Sequence, residues 1–182
     1  MCGIIGVIGH SKVSSLLIEG LKRLEYRGYD SAGIATLLNG KIDRRRSLGK
    51  IENLRKLLKK SPIKGNVGIG HTRWATHGIP SRTNAHPHSS GDVAVVHNGI
   101  IENYDVLRKD LERKNIIFES DTDTEVIAHL ISFFLKKNLS PLKATVTALK
   151  KVEGAFALGI IFSGINNYLI CAKRGSPLAI GK

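Results

Sequence analysis

Hydrophobic and polar positions repeat with two different periods along this chain, and the periods predict a mixture of helices and strands. Apolar residues recur at helical spacing in residues 13–24, 51–59, 103–114, 123–134 and 141–152. Short apolar or alternating runs predict strands at residues 4–8, 31–38, 41–46, 67–70, 92–96, 116–118, 155–162 and 168–172. Asn39-Gly40 predicts a tight hairpin turn. Because hairpins are mixed with helices, we expect sheets covered by helices and mostly antiparallel pairing, which is an α+β fold.

The sequence allows three more local predictions. The polar, histidine-rich part of residues 71–90 predicts a long loop, and loops of that length are usually functional or disordered. Thr122-Asp-Thr-Glu125 has the pattern of a capping box, so Asp123 is expected at the start of a helix. Cys171 lies in an apolar run and is expected to be a buried strand residue.

Composition narrows the class of protein. The 182 residues, 42% of them hydrophobic, suit one domain with a real core. Apolar runs fall far short of the roughly 18 residues of a membrane helix, and no signal-like segment opens the chain, so we expect a soluble cytoplasmic protein without a membrane partner. Only two cysteines occur, which does not fit a secreted disulfide scaffold.

The net charge of +13 raises the question of nucleic acid. The basic residues are dispersed along the chain, however, and few aromatic residues are interleaved with them to form a stacking platform. We therefore expect no nucleic-acid partner.

The second residue suggests nucleophilic chemistry. Cys2 becomes the first residue once Met1 is removed, and an α-amine titrates near 7.7–8.0 against about 8.5 for a thiol. The amine can then take the thiol proton, directly or through a water, without a histidine. An ordinary second residue followed by an ordinary strand explains the same nine residues, so this segment alone does not decide the function.

Three later residue groups supply what a terminal cysteine lacks. Asn98 and Gly99 follow an apolar run and would offer a side-chain amide and a backbone N–H to an oxyanion, although a polar turn is the commoner reading. Arg73 can hold a carboxylate in bidentate fashion, or be a surface arginine. Asp123 can meet a substrate ammonium, or cap its helix. Each signal is weak alone.

The histidines raise the question of a metal site, particularly His86 and His88. They lack carboxylate or cysteine companions at suitable spacing, so we expect neither a metal nor another cofactor.

Together these residues lie in segments that resemble one family. Segments such as Tyr26-Arg-Gly-Tyr-Asp-Ser-Ala-Gly33 and Arg73-Trp-Ala-Thr-His-Gly78 are similar to the glutaminase domains of glucosamine-6-phosphate synthases, which are class II glutamine amidotransferases. The similar segments are residues 1–6, 23–33, 71–78, 84–88, 96–103, 120–125 and 175–178. The resemblance implies the four-layer αββα sandwich of the N-terminal-nucleophile hydrolases.

The resemblance also implies a role for each candidate. Cys2 would attack the side-chain amide of glutamine to give a thioester and ammonia, and Asn98 and Gly99 would form the oxyanion hole. Arg73 would hold the substrate carboxylate and Asp123 its ammonium. The remaining implied pocket residues are Thr76, His77, His86 and Trp74, the last of these as a gate for ammonia, on a mobile loop that begins at Arg73.

The family's domain would continue beyond residue 182, so residues 1–182 are expected to be a glutaminase domain that is incomplete at its C-terminus and lacks the sugar isomerase domains. The fragment would hydrolyse glutamine. The full-length protein, expected to be a homo-oligomer, would use the ammonia with fructose 6-phosphate to make glucosamine 6-phosphate. The same chemistry serving another acceptor, and a basic binding module without catalysis, are the alternatives.

Overall fold

Eight strands, most of them from the apolar runs of the sequence, form in the computed structural model, which describes residues 2–181. The strands are β1 (Gly3–Ile8), β2 (Ser31–Leu38), β3 (Lys41–Leu48), β4 (Val67–Arg73), β5 (His88–Ser90), β6 (Val93–Ile101), β7 (Gly154–Phe162) and β8 (Leu169–Arg174). They pair into two four-stranded sheets with the orders β1-β4-β2-β3 and β5-β6-β7-β8. Every pairing between these strands is antiparallel.

Five α-helices cover the outer faces of the two sheets. They are α1 (Ser14–Leu24), α2 (Ile51–Lys60), α3 (Tyr104–Glu112), α4 (Thr124–Leu135) and α5 (Pro141–Leu149), and a single 3-10 turn, Glu25–Arg27, extends α1. Helices α1 and α2 pack on the first sheet, whereas α4 packs on the second sheet and contacts α3 and α5. Within residues 2–181, no helix combines the length and the apolar character needed to cross a membrane.

Three groups of buried side chains separate four layers. Leu17 and Ile34 belong to the group between α1 and the first sheet. Leu37 and Val96 belong to the group between the two sheets, since alternate residues of β2 point to opposite faces. Ile127 and Leu158 belong to the group between α4 and the second sheet. The αββα sandwich expected from the sequence is therefore confirmed.

Local turn chemistry agrees with the sequence at two element ends. Asn39 and Gly40 both have positive φ, at 50° and 74°, as a two-residue hairpin turn that matches the strand twist requires. Ser140 caps α5, because its hydroxyl accepts the Lys143 N–H at 3.4 Å and Pro141 occupies the first turn.

Several expectations about the elements were wrong. Residues 116–118 form no strand; Ile116 and Phe118 pack against the buried group between α4 and the second sheet without pairing with a strand. Residues 74–87 form the loop predicted within residues 71–90, but both ends of the predicted loop were wrong, because β4 continues to Arg73 and β5 begins at His88. Cys171 lies in β8 as expected but is exposed, since the strand's other face is the one that meets the helices.

The predicted capping box at residues 122–125 was also wrong. Glu125 does not return to the helix start; its carboxylate accepts the backbone N–H groups of Glu119 and Ser120, at 2.8 and 2.7 Å. Asp123 is the residue before α4, but its side chain makes no capping hydrogen bond. The preceding loop therefore folds onto Glu125, and the Asp123 carboxylate accepts the Ile101 N–H instead of capping α4.

Candidate active site around Cys2

The register of the first sheet places Cys2 beside the end of β4. Gly3 pairs with Thr72, so Cys2 comes next to Arg73 and Trp74. The Trp74 N–H donates to the Cys2 Sγ at 3.4 Å, and the same sulfur lies 3.5 Å from the Trp74 carbonyl oxygen. Two segments that are about 70 residues apart in sequence thus hold the thiol between them.

Burial raises the pKa of the Cys2 thiol, while the hydrogen bond from the Trp74 backbone acts in the opposite direction. The thiol is half-buried. At neutral pH it is therefore mainly protonated, and a nucleophilic role requires a base. The expected base is the Cys2 α-amine, which becomes free only when Met1 is removed, and Met1 lies outside residues 2–181.

Arg73 is the last residue of β4, and its side chain is only 3% exposed. Its guanidinium donates to the carbonyl of His77, to that of Gly78 at 2.8 Å and to that of Ile79 at 3.4 Å. An ion pair of 3.6 Å with Asp30 adds a negative neighbour. The segment after β4 therefore wraps around the Arg73 guanidinium. Arg73 is buried and held in place, so the alternative interpretation, an ordinary surface arginine, was wrong.

Asp30 is a residue that the sequence analysis did not single out. Its N–H donates to the Arg73 carbonyl at 3.1 Å, and its carboxylate accepts the N–H of Ala75 and the hydroxyl of Ser31, the latter at 2.8 Å. Both flanks of Trp74 are thus held in place. In the sequence, Asp30 is a carboxylate directly before the largely apolar strand β2, within one of the segments that resemble the family.

Asp123 contributes a buried carboxylate to the same region. It is 4% exposed and accepts the Ile101 N–H at 2.9 Å, and its Oδ2 lies 3.9 Å from His97 Nδ1. The carboxylate thus links α4 to β6. A backbone N–H donor and the N-terminal end of α4 thus both lie beside this buried carboxylate.

Asn98 and Gly99 lie inside β6, not after it, opposite Ala157 and Phe156 of β7. Gly99 has φ of 144°, and a Cβ there would lie 2.0 Å from the Ala155 carbonyl oxygen. Only glycine fits this position, because its φ is one that other residues rarely adopt and the Ala155 carbonyl leaves no room for a Cβ. The Asn-Gly pair is therefore a distortion within a strand and not the polar turn that was the alternative.

Buried histidines form the floor of the site. The rings of His71 and His86 stack with centroids 3.9 Å apart. The Thr124 hydroxyl lies 2.8 Å from His86 Nε2 and 2.9 Å from His97 Nδ1. Burial lowers the pKa of His71 to about 3, and it also lowers the pKa values of His86 and His97. These rings are neutral at neutral pH and act as hydrogen-bonding groups.

Two cavities meet at Cys2. The closed cavity has a volume of about 10 Å³, and its lining residues are Cys2, Arg73, Trp74, Thr76, His77, His86, His97, Gly99, Thr122, Asp123 and Thr124. The open cavity has a volume of about 450 Å³, and its lining includes Cys2, Leu24, Arg27, Asn98, Lys173 and Leu178. Eight of the nine predicted site residues therefore surround the closed cavity, and Asn98, the ninth, lies across Cys2 from it.

The mouth of the closed cavity is aromatic. Trp74 is 48% exposed and packs edge-on against Tyr29, with ring centroids 5.5 Å apart. His77 packs against Tyr104 at 4.9 Å. His97 and Thr124 also line this cavity but were not predicted as site residues, since a lone histidine or threonine in a sequence carries no specific signal.

Known proteins resemble this chain in sequence and in structure. Residues 71–177, more than half of the chain, match the glutamine amidotransferase domain family. The chain is 57% identical over 181 residues to a glutamine–fructose-6-phosphate aminotransferase (isomerizing) of Mesorhizobium japonicum. It is 54% identical over 182 residues to the protein of that name in Gluconobacter oxydans. Each match covers 100% of this chain and 30% of the relative, so the chain spans less than a third of their length.

Among solved structures, the glutamine phosphoribosylpyrophosphate amidotransferase of B. subtilis superposes with a TM-score of 0.80 at 28% identity. That match covers 95% of this chain and 37% of the other. The agreement of family, relatives and fold means that this chain belongs to the class II glutamine amidotransferase domains with the N-terminal-nucleophile hydrolase fold.

Proposed function

We propose that this domain hydrolyses the side-chain amide of glutamine to glutamate and ammonia through a thioester on Cys2. The observation that carries the proposal is the meeting of a thiol, a buried cation and a buried carboxylate at one cavity, brought there by β1, β4 and α4. Glutamine carries a carboxylate and an ammonium on one carbon and an amide at the other end. Three matching groups around one space suit that substrate class.

In the proposed complex, Arg73 binds the glutamine α-carboxylate and Asp123 binds its α-ammonium. Beyond the three carbonyl contacts the guanidinium has two further N–H groups, on Nε and Nη1, and Asp30 lies 3.6 Å from Nη1. Thr76, His77 and His86 line the pocket, and Trp74 covers its mouth.

The closed cavity must enlarge when glutamine binds. A volume of about 10 Å³ holds roughly one water molecule and no amino acid. The segment after β4 lines the cavity through Trp74, which is 48% exposed, and continues to Ile79, which is 75% exposed. We infer that this segment moves outward to admit glutamine and returns over it, as the family resemblance implies.

The proposed reaction has two halves. The Cys2 thiol gives its proton to the α-amine exposed by loss of Met1, and the sulfur attacks the amide carbon. Asn98 and the Gly99 N–H stabilise the oxyanion, and the C–N bond breaks as the amine returns the proton, so ammonia leaves. Water then attacks the thioester, and glutamate and the free thiol are released.

The ammonia acceptor is proposed from the relatives. The two bacterial relatives are named for aminotransfer to fructose 6-phosphate and share 57% and 54% identity with this chain. The phosphoribosylpyrophosphate enzyme shares 28%. We propose that residues 1–182 serve as the glutaminase part of a longer protein that makes glucosamine 6-phosphate from fructose 6-phosphate.

Glutamate release measured with and without N-terminal processing tests the reaction. The processed chain should release glutamate and ammonia in equal amounts, whereas a chain that retains Met1 or carries an N-terminal tag should lose activity by more than about 10³-fold while its thermal unfolding is unchanged. Mass spectrometry of the N-terminus identifies the two forms. Equal activity of both forms would show that the proposed base is wrong, and an inactive processed chain would refute the glutaminase function.

A further inference from the structure

Asn84 lies behind the closed cavity with its side-chain amide fully engaged. It is 1% exposed. Its Nδ2 donates to the Ile79 carbonyl at 2.9 Å and to the Asp121 carboxylate at 3.1 Å. Its Oδ1 accepts the Asp121 N–H at 2.9 Å. One carboxamide therefore fastens two segments that approach it from different sides.

The two segments are opposite walls of the proposed glutamine pocket. Ile79 ends the turn of residues 77–79, whose carbonyls surround the Arg73 guanidinium. Asp121 lies two residues before Asp123. The Asn84 side chain thus connects the part of the chain that fixes the cation to the part that presents the carboxylate.

The turn of residues 77–79 rests directly on this connection. Gly78 has φ of 77°, which favours glycine, and a Cβ there would lie 2.6 Å from Asn84 Nδ2 and 3.0 Å from the Asp121 Cβ. A side chain has no room between the turn and the carboxamide. The position of the turn is consequently set by where Asn84 lies.

Asn84 is itself held in place on both sides. Arg46 Nη1 donates to the Thr83 carbonyl at 2.9 Å and to the Ala85 carbonyl at 3.0 Å. The Asn84 N–H donates to the Ser81 hydroxyl oxygen at 3.0 Å. The carboxamide is therefore presented from backbone anchored to β3, in the manner of a preorganised support for binding groups.

We propose that Asn84 is a positioning residue for glutamine: it sets the separation between Arg73 and Asp123 by joining the turn of residues 77–79 to Asp121. The inference rests on the proposed glutaminase function. Only a group that donates twice and accepts once completes these contacts, which a carboxylate of the same shape does not. Glutamine binding should therefore depend on the amide, whereas the chemistry at Cys2 should not.

The test compares Asn84→Asp with the processed wild-type chain. The variant keeps the shape, removes both donors and places a negative charge against Asp121. KM for glutamine should rise about tenfold or more, because buried hydrogen-bonding groups lose their partners, while kcat changes less than about threefold. Alkylation of Cys2 by a small uncharged thiol reagent should keep its rate.

Asn66→Asp is the matched control. Asn66 also joins distant segments, since its Nδ2 donates to the Asn167 Oδ1 at 2.6 Å, and it precedes β4 at the end opposite Cys2. The same chemical change there should leave KM unaltered. An equal rise of KM in both variants would overturn the proposal by showing a general loss of stability.

Asp121→Ala decides the question if Asn84→Asp does not fold. Asp121 is exposed, and this change removes one acceptor while its backbone N–H still binds Asn84. KM should rise about threefold. An unchanged KM in every folded variant overturns the role of Asn84 while leaving the glutaminase function intact, whereas absence of activity in the wild-type chain would refute that function itself.

Discussion

The two cavities on either side of Cys2 differ in both charge and space. The closed cavity has buried charges of both signs, from Arg73 and Asp123, and room for about one water molecule. The open cavity has about 450 Å³, but the side chains of Leu24 and Leu178 line it beside Arg27 and Lys173. Fixed, desolvated charges discriminate between ligands, whereas open solvated space does not. The difference supports the proposal that the closed cavity, once the segment after β4 has moved outward, recognises the substrate.

Asn98 lines the open cavity, and yet its replacement should lower the reaction rate most. Its proposed amide donor acts on the oxyanion, and loss of one such donor costs about 10²–10³ in rate. Asn98→Ala should therefore lower kcat by that factor and alter KM little, as steady-state glutaminase kinetics would measure. A loss confined to KM would assign Asn98 to substrate binding instead.

Replacing Arg73 or Asp123 tests whether the closed cavity recognises glutamine. Removing one partner of a desolvated charge pair costs about 2–5 kcal/mol, which is more than tenfold in binding. Arg73→Ala and Asp123→Asn should each raise KM strongly while a small thiol reagent still alkylates Cys2. Asparagine retains an oxygen for the Ile101 N–H, so the fold should persist. Normal glutamine binding by a folded Asp123→Asn chain would contradict the ammonium role.

The buried histidines around the closed cavity should make the free energy of unfolding depend on pH in the acid range. Because burial lowers the pKa of His71 to about 3, the unfolded chain binds more protons, and the free energy of unfolding falls as pH drops below about 6.5 towards 3. Each such histidine contributes a slope approaching about 1.4 kcal/mol per pH unit. Urea denaturation between pH 6.5 and 5, above the range where carboxylates titrate, measures this slope. Constant stability over that interval would mean that these rings accept protons in the folded state.

Lys173 provides the smallest expected effect. It lines the open cavity and is exposed, and replacing such surface groups typically changes free energies by no more than about 0.5 kcal/mol. Lys173→Met should change KM and kcat for glutamine less than about twofold in the same kinetic assay. A tenfold rise in KM would extend substrate recognition to the open side and remove the contrast between the two cavities.

Local patterns predicted most of the elements correctly. Strand β2 has the predicted bounds, and the Asn39-Gly40 turn has the predicted geometry, because both depend on neighbouring residues. The strand predicted at residues 116–118 was wrong because a short apolar run can also pack against a core without pairing with another strand. The capping box was wrong because Glu125 found its partners in the preceding loop. Similar short patterns can serve different contacts, and only packing distinguishes them.

Local sequence patterns did not predict that these histidines are buried. His71, His86 and His88 occur in a polar stretch that predicted a loop, yet all three are buried. Their burial is possible because carbonyl or hydroxyl partners come from distant segments, as Thr124 does for His86. Such partners are invisible along the sequence.

The sequence by itself determined the residue types available for chemistry and the family to which the chain belongs, since a cysteine at position 2 and the segments around Arg73, Asn98 and Asp123 are properties of residue order. Only the tertiary structure decided that these residues meet. The β1–β4 register places Cys2 beside Trp74, and the Asp123 contact with Ile101 brings α4 to β6. The physical reason is that a site of buried opposite charges needs partners from separate strands and helices to exclude water, and strand register and layer packing choose those partners.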